Sequence, residues 1–401
     1  MVRILRLGLH CYTAIMAGPF SRLFGRRNPK YLLAIDAGSS STMRSFLFEE
    51  SPNRRFGIEK RISAFPEREV DAALIPYIIE HLRRLLIHSV RRVGCVPSEA
   101  LIGLGNHFTF NEAVVCRRAR ARPEDAIGER ELGGILSSFL ADEGERTVGG
   151  KRYLLASVAP LRVAVDGYPV DMLSRATRGR EVEISHIATY ALAAFWESLR
   201  ELRALWSGLT LTSISNQAAV AGALILKLSV PEALVVKIGA RITEVTLLGD
   251  GIIRSSAQFP LGGDAATQAI AERMGIARAD AERIKRQLGR MTLPAMAARA
   301  AAQAVQDAVR AWLHAFREAV EPWPHAVPER TYLIGGGARL RAIADALSAQ
   351  PWYAHMASAP KTDIRILDAA EIAGPLFQNP TPALAGPDEV ALAAIALRLT
   401  Q

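Results

Sequence analysis

The sequence predicts an α/β protein built by internal duplication. Two runs share one outline, an apolar strand, a glycine turn and a second apolar strand, at 31–49 around Gly38 and at 233–248 around Gly239. Each hairpin leads into a further strand and then into helices with apolar residues at a period near 3.6. Strands alternating with helices build layered sheets, and recurrence of the outline marks two related halves. At 401 residues the chain is long enough for two full cores. Its 50% hydrophobic and 22% charged residues are the composition of a soluble globular protein.

Residues 1–29 form a basic amphipathic segment. Arg3, Arg6, His10 and Thr13 recur at spacings of 3, 4 and 3, a polar stripe on a helix that also carries Leu5, Leu7, Ile15 and Met16. Gly18 and Pro19 end it, and a short unit with Phe20 and Phe24 leads to Arg26 and Arg27. Through Lys30 the segment supplies +6 of the formal +9, leaving +3 for the other 371 residues. So balanced a body argues against a nucleic-acid surface over the whole fold. A basic amphipathic helix can lie in a membrane interface, which makes Arg3, Leu5, Arg6, Leu7, Phe20 and Phe24 candidate membrane residues. The alternatives are a helix docked on the body, a frayed tail, or a secretory signal, whose apolar region His10 and Thr13 would interrupt. No apolar run is long enough to span a bilayer. Cys11, Cys95 and Cys116 are too few and scattered for a disulfide framework or a metal site, which fits a reducing cytoplasm.

The body opens with apolar strands at Tyr31–Asp36 and Met43–Glu49, and a third strand is expected at Phe56–Phe65. A helix over 70–93 sets Leu74, Tyr77, Ile78, Leu82 and Leu86 on one face, and a strand at Ala100–Leu104 follows. Residues 106–180 change character. They hold an arginine-alternating strand at Ala113–Arg122, an acid-capped helix over 124–141, and strands near 152–157 and 161–170. A strand at Glu181–Thr189 returns to the body and a helix covers 190–206.

The second half has strands at Ala233–Gly239, Thr243–Leu248 and 252–260, then helices over 263–274, 278–288 and 294–321. In the last, Val305, Val309, Trp312, Leu313, Phe316 and Val320 form a buried stripe. A strand at Thr331–Ile334, a helix at Arg339–Ser348, a strand at Thr362–Ile366 and a helix at Asp388–Thr400 close the chain. The expected organisation is 1–29, a first body subdomain of 30–104 with 186–225, an insertion at 105–185, and a second half at 226–401. Within that half, about 263–328 would be a shortened helical subdomain.

Three segments carry chemistry. After the first strand come Asp36, Gly38, Ser39, Ser40, Ser41 and Thr42. Gly38 lets backbone approach a phosphate, successive N–H and hydroxyl groups can wrap its oxygens, and Asp36 could hold a Mg2+-bound water. Taken alone, the segment reads rather as an ordinary serine-rich hairpin. Gly262 and Gly263 open a helix, and downstream Glu282 and Lys285 share a helix face, either as a ribose contact or as a solvated ion pair. Gly335, Gly336 and Gly337 sit between a strand and a helix, a geometry that lays backbone beside a flat ligand.

In this order and spacing the segments resemble the actin and heat-shock-chaperone ATPase superfamily. Its first phosphate loop corresponds to Asp36–Thr42, its second to Lys237–Thr243 and its adenosine loop to Gly335–Leu340. Within it the chain resembles the bacterial cell-division FtsA family. Residues 167–171 and Gly179–Thr189 are similar to the end of that family's inserted subdomain and the strand leaving it. Phe259–Ala271 is similar to its Gly-Gly-x-x-x-Thr-x-x-Ile-Ala helix, and Asp280–Lys285 to its Ala-Glu-x-Ile-Lys signature. The pilus-assembly family PilM, which shares the insertion and sits at the inner membrane, is the near relative. The strand Glu181–Thr189 favours FtsA.

The resemblance covers about residues 30–400. It implies an actin-like duplicated ribonuclease-H-type fold with an inserted α+β subdomain in the first half. It also implies ATP and Mg2+ as cofactors, filament contacts through the insertion, an FtsZ-like division tubulin or other divisome partner, and a place on the cytoplasmic face of an anionic inner membrane. The family's second loop reads Asp-x-Gly-Gly-Gly-Thr-Thr, whereas here Lys237, Gly239, Ala240, Arg241, Ile242 and Thr243 occupy it. The metal-orienting acid is gone, so hydrolysis is expected to be slow and no catalytic residue stands out beyond Asp36. Lys237 could instead bond a phosphate oxygen, or point to solvent. Gln217 could position a water or simply start a helix. A pseudo-ATPase scaffold without nucleotide is the third reading. The family's membrane helix is C-terminal, and the amphipathic segment at 1–29 is expected to substitute for it.

Overall fold

A computed structural model describes residues 30–38, 42–51, 54–64, 74–105, 108–142, 144–170, 177–288, 293–323, 327–349, 352, 362–374, 376–378 and 383–400. The segment 1–29, with Arg3, Leu5, Arg6, Leu7, Phe20 and Phe24, lies outside the described residues, as do Ser39, Ser40 and Ser41. The chain divides into two compact units, residues 1–229 with 372–384 and 391–401, and residues 230–371 with 385–390.

The first unit comprises β1 (Lys30–Ala37), β2 (Thr42–Ser51), β3 (Arg54–Ala64), α1 (Ile75–Val93), β4 (Glu99–Leu104), β5 (Thr109–Ala119) and α2 (Glu129–Asp142). It continues through β6 (Glu145–Val148), β7 (Lys151–Val165), β8 (Tyr168–Val170), β9 (Glu181–Leu192), α3 (Ala193–Ala204), β10 (Thr210–Ser215) and α4 (Asn216–Leu228). Its first sheet runs β10-β4-β1-β2-β3, with β1, β2 and β3 antiparallel and β4 and β10 parallel to β1. Leu32, Leu33, Ala34 and Ile35 are buried without alternation, as a strand covered on both faces requires. α1 starts later than its apolar pattern because Pro76 sits in its first turn. It ends at Gly94, whose left-handed backbone (φ 77°) returns its N–H to the Val90 carbonyl.

The insertion is a sheet of its own, ordered β5-β9-β7-β6 with β8 on β7. This corrects the expected boundary at 185. β9 pairs with β5 and β7 along its length to Leu192 rather than with the body's sheet, burying Val182, Ile184, Ala188 and Tyr190 in the insertion, and only its end, at Ala191, reaches the body's core. The two strands expected over 152–170 are one long β7, irregular near Ser157 and Pro160, that turns through Asp166 and Gly167 (φ 49° and 83°) into β8. α2 begins at Glu129 rather than 124 because buried Arg120 holds the preceding segment as loop. Its guanidinium bonds Glu131 at 2.7 and 2.9 Å and the carbonyls of Pro123, Asp125 and Gly179. β10 was not expected, and of α4 only a helix start at Gln217 was. Thr210, Thr212, Ser213 and Ser215 mask the strand, which owes its place to the parallel ladder with β4.

The second unit holds β11 (Ala233–Ile238), β12 (Thr243–Gly249), β13 (Ile252–Phe259), α5 (Gly263–Met274), α6 (Arg278–Leu288) and α7 (Ala295–Val320). β14 (Arg330–Ile334), α8 (Arg341–Ala349) and β15 (Asp363–Ile366) follow, with α9 (Ala369–Ala373), whose last two residues count with the first unit. Its sheet, β13-β12-β11-β14-β15, repeats the order and the strand directions of the first. The duplication read from the sequence is therefore present in the topology. Residues 263–328 do not form a subdomain with a separate core. Trp312, Leu313 and Phe316 of α7 and Ile270 of α5 share one cluster with Leu234, Val236 and Val245 of the sheet.

The closing helix α10 (Val390–Leu399) belongs mostly to the first unit, so 226–401 is not one half as expected. It is apolar nearly all round and needs cover on every side. Ile395 packs where a Cβ on Gly103 would fall, 2.2 Å from Ile395 Cδ1, and Arg55 donates to the Thr400 carbonyl at 3.2 Å. Among the described residues no helix is long and apolar enough to cross a membrane.

Candidate functional site

The first unit gathers its chemistry where β1, β4 and β10 end. Asp36 Oδ1 accepts two hydrogen bonds of 2.8 Å, from the Gly38 N–H and from Asn216 Nδ2. Asp36 is 5% exposed and Asn216 1%, so both donors act inside the protein and fix the carboxylate. A Cβ on Gly38 would fall 1.8 Å from Asn216 Nδ2, which is why a glycine stands there. Asn216 Oδ1 is buried and has no hydrogen-bond partner among the described residues, an acceptor left unsatisfied beside the loop. Arg44 stands directly opposite Asp36 in the β1–β2 register and donates to Thr42 Oγ1 at 3.1 Å.

Gln217 follows Asn216 in the first turn of α4 but serves another structure. Its Oε1 accepts from Asn111 of β5 at 2.9 Å, and Asn111 accepts from Thr189 of β9 at 2.9 Å. Ser215 caps the same helix, accepting from the Ala218 N–H at 3.0 Å. The predicted helix-start role thus describes this segment, with Gln217 tied to the inserted sheet.

In the second unit the β11–β12 turn, the start of α5 and the triple glycine converge. The Gly263 and Asp264 N–H groups donate to the Gly239 and Ala240 carbonyls at 2.9 and 2.8 Å. A Cβ on Gly262 would lie 2.5 and 2.6 Å from those same two carbonyl oxygens, so only glycine permits the approach. One on Gly263 would lie 3.7 Å from Gly337 Cα. Gly335 adopts φ 86°, and side chains on Gly335 or Gly337 would collide with Ile238. Gly336 alone faces open space.

The polar residues predicted here divide sharply. Lys237 neither points to solvent nor hangs free. It stands opposite Glu244 in the β11–β12 register, with Nζ 3.3 Å from Glu244 Oε2, and the two side chains are 16% and 4% exposed. Thr243 is fully buried, and its hydroxyl donates to the Leu261 carbonyl at 2.6 Å while accepting from Trp312 Nε1 at 2.8 Å. That hydroxyl is structural and is not offered to a phosphate. Glu282 and Lys285 form a pair of 2.6 Å that is partly exposed on the Glu282 side, and Lys285 is engaged within the protein. Lys285 also donates to the Gly263 carbonyl and to Thr267 Oγ1, at 3.0 and 2.7 Å. Burial works to raise the Glu282 carboxyl, but hydrogen bonds from Lys285 and Thr267 outweigh it and its pKa is lowered. Arg241, in a glycine position of the loop, lies 3.9 Å from Asp264, which Arg278 also pairs at 2.7 Å.

Asn216 and Arg44 were not read as site residues from the sequence. Arg44 follows only from pairing register. Asn216 was visible as a helix-start neighbour of Gln217, but its reach to Asp36 depends on the β4–β10 ladder.

The residues fit ATP and Mg2+ in part. The first cluster offers a fixed carboxylate, a glycine turn and an unsatisfied buried acceptor, suited to a hydrated cation and phosphate. The second offers open backbone at Gly336, but where a metal-orienting acid would stand it has an ion-paired lysine.

No family model and no curated protein matches the chain. Among solved structures it is similar to the PilM–PilN type IV pilus biogenesis complex, at 20% identity and TM-score 0.55 over 92% of this chain and 98% of that one. It is also similar to the ethanolamine utilization protein EutJ from Carboxydothermus hydrogenoformans, at 14% identity and TM-score 0.50 over 94% and 92% of the two chains. The chain has the actin-like ATPase fold.

Proposed function

We propose that this chain is an actin-fold adaptor at the cytoplasmic face of the inner membrane, one that binds ATP with Mg2+ and turns it over slowly. The observation that carries the reading is Lys237, held by Glu244 in the position where the resembled family places an acid. In the first unit Asp36, Gly38, Asn216 and Arg44 would hold a hydrated metal and phosphate; in the second, backbone at Gly336 leaves room for a base. The cation would supply charge neutralisation on the phosphates. With Glu244 engaged by Lys237 rather than orienting a metal-bound water, the largest electrostatic contribution to hydrolysis is missing.

Calorimetry with ATP and Mg2+ tests this directly. Saturable heat with turnover well below about 1 s−1 supports it. Turnover at that rate or faster contradicts slow hydrolysis. No heat and no thermal protection at millimolar nucleotide would leave a pseudo-ATPase scaffold.

The segment 1–29 is read as the anchor and the inserted sheet as the surface for filaments or partners. Two partners remain in contention. The motifs at Phe259–Ala271 and Asp280–Lys285 support an FtsA-like role with an FtsZ-like division tubulin. The likeness to a PilM–PilN complex supports a PilM-like role in pilus assembly. Affinity capture from the native cell separates them by whether the division tubulin or a pilus-assembly membrane protein is retained.

A further inference from the structure

The two ends of the first sheet differ in chemistry. One end carries Asp36, Gly38 and Asn216. At the other, β1, β4 and β10 begin side by side, with Leu32 opposite Glu99 and Glu99 opposite Thr210. Every connection that reaches this end brings a cation. Lys30 opens β1, and Arg54 follows the β2–β3 turn. Arg91 and Arg92 finish α1, and Arg200 lies in the last turns of α3.

All five are exposed. The acids are fewer or engaged. Glu201 is exposed, Glu49 and Glu99 are half-buried, Glu50 pairs with Arg55 at 3.0 Å, and Glu59 lies 3.9 Å from Arg92. Among the cations stand two aliphatic side chains at loop tips, Val96 at 37% and Leu205 at 71% exposure. Of the eight exposed large hydrophobic side chains among the described residues, these two lie at this end.

We propose that this end of the first unit is a membrane-docking face for anionic lipid headgroups. The arginines meet headgroup phosphates while Leu205 and Val96 enter the interface. Aliphatic tips within a cationic rim suit a bilayer, since polyanions such as duplex DNA reward the charge but not the buried alkyl groups. The 29 residues that precede Lys30 join the body at this same end, and they carry five further arginines and no acid. Docking so would turn the Asp36 end away from the lipid, about 20 Å distant across six or seven strand residues. The inference rests on the reading of 1–29 as an anchor, but it concerns different residues.

The test uses the full chain with vesicles of phosphatidylglycerol and phosphatidylethanolamine. A nitroxide on Cys95, with Cys11→Ser and Cys116→Ser, reports on the face, because Cys95 is exposed in the α1–β4 connection. A label on Tyr168→Cys at the β7–β8 tip, with Cys95→Ser added, is the control. The expected result is lipid shielding of the Cys95 label from an aqueous relaxation agent and none at position 168. Arg91→Glu, Arg92→Glu and Leu205→Glu together should weaken binding about tenfold or more, with unchanged thermal unfolding. Leu5→Glu with Leu7→Glu probes the anchor separately. If that pair abolishes binding while the Cys95 label stays in water and the face variant binds normally, the docking face is wrong and the anchor stands. If only the face variant loses binding, the face stands and the anchor reading fails. Equal affinity for phosphatidylcholine vesicles or for duplex DNA overturns the proposal.

Discussion

Lys237 Nζ lies 3.3 Å from Glu244 Oε2, the two residues standing directly opposite on β11 and β12. In the first unit the equivalent register position pairs Asp36 with Arg44. The duplicated sheet therefore carries the same cross-strand pair twice with the signs exchanged. The loss of the acid from the second loop is not a simple deletion, because a carboxylate survives on the neighbouring strand and neutralises the lysine.

Charge exchange at this pair should be measurable as stability. Lys237→Asp sets two carboxylates opposite each other at a mostly buried position and should cost about 3 kcal/mol or more. Adding Glu244→Lys should recover most of that loss in urea unfolding. The double variant also restores an acid to the loop, so its ATP turnover should rise above that of the natural chain. Recovery of stability with no change in turnover would mean that the acid's position does not limit hydrolysis.

Two glycines at the second cluster should respond in opposite ways. Gly262→Ala would push a methyl group into the Gly239 and Ala240 carbonyls and should cost about 2 kcal/mol. Gly336→Ala meets nothing within 4 Å and should stay within about 0.5 kcal/mol of the natural protein. Gly336→Asp should fold normally yet remove the calorimetric signal of ATP, by placing a carboxylate in the space left for the base.

Asn216→Ala removes one of the two donors that fix Asp36 and should cost about 1–3 kcal/mol, with weaker nucleotide binding. Asn216→Asp should be worse at neutral pH, because two buried carboxylates then compete for one position. Acidification should relieve part of that penalty, and unfolding followed at two pH values distinguishes the variants.

The Glu282 pair gives a pH dependence of definite sign. The carboxyl's pKa is lowered in the folded protein from an ordinary value of 4.5. Its contribution is therefore complete above that value and is lost as pH falls through the lower folded value. Glu282→Gln should flatten this part of the acid limb and cost about 1 kcal/mol at pH 7, the remaining exposure of the pair having been allowed for. Thermal unfolding of both proteins between pH 3 and 7 checks it.

The duplication, the glycine segments and most helices were legible because periodicity and turn chemistry are local. α7 announced itself through Val305, Val309, Trp312 and Phe316, and its observed span of Ala295–Val320 lies within a residue of that reading. β10 was not legible, since a strand rich in Thr and Ser gains its order from a partner 111 residues earlier in the chain, Thr210 against Glu99. β9 was found, but its sheet was misassigned because a strand's sequence does not name its neighbours. At the candidate site most of the glycines stand where backbone or side chains approach closely, whereas several of the polar side chains already have partners within the protein. Thr243 and Lys285 have the right side chains for a ligand, but Trp312, Thr267 and Glu282 already engage them.

Asn216 and Gln217 are consecutive, yet one grips Asp36 and the other grips Asn111 of the inserted sheet. The first turn of α4 thus works as a single rigid lever with two loads. Moving it to suit an occupant beside Asp36 drags on β5, and clamping β5 resists that movement. By linkage the exchange is reciprocal. On the proposed reading, whatever holds the inserted sheet still also bears on how long a nucleotide stays.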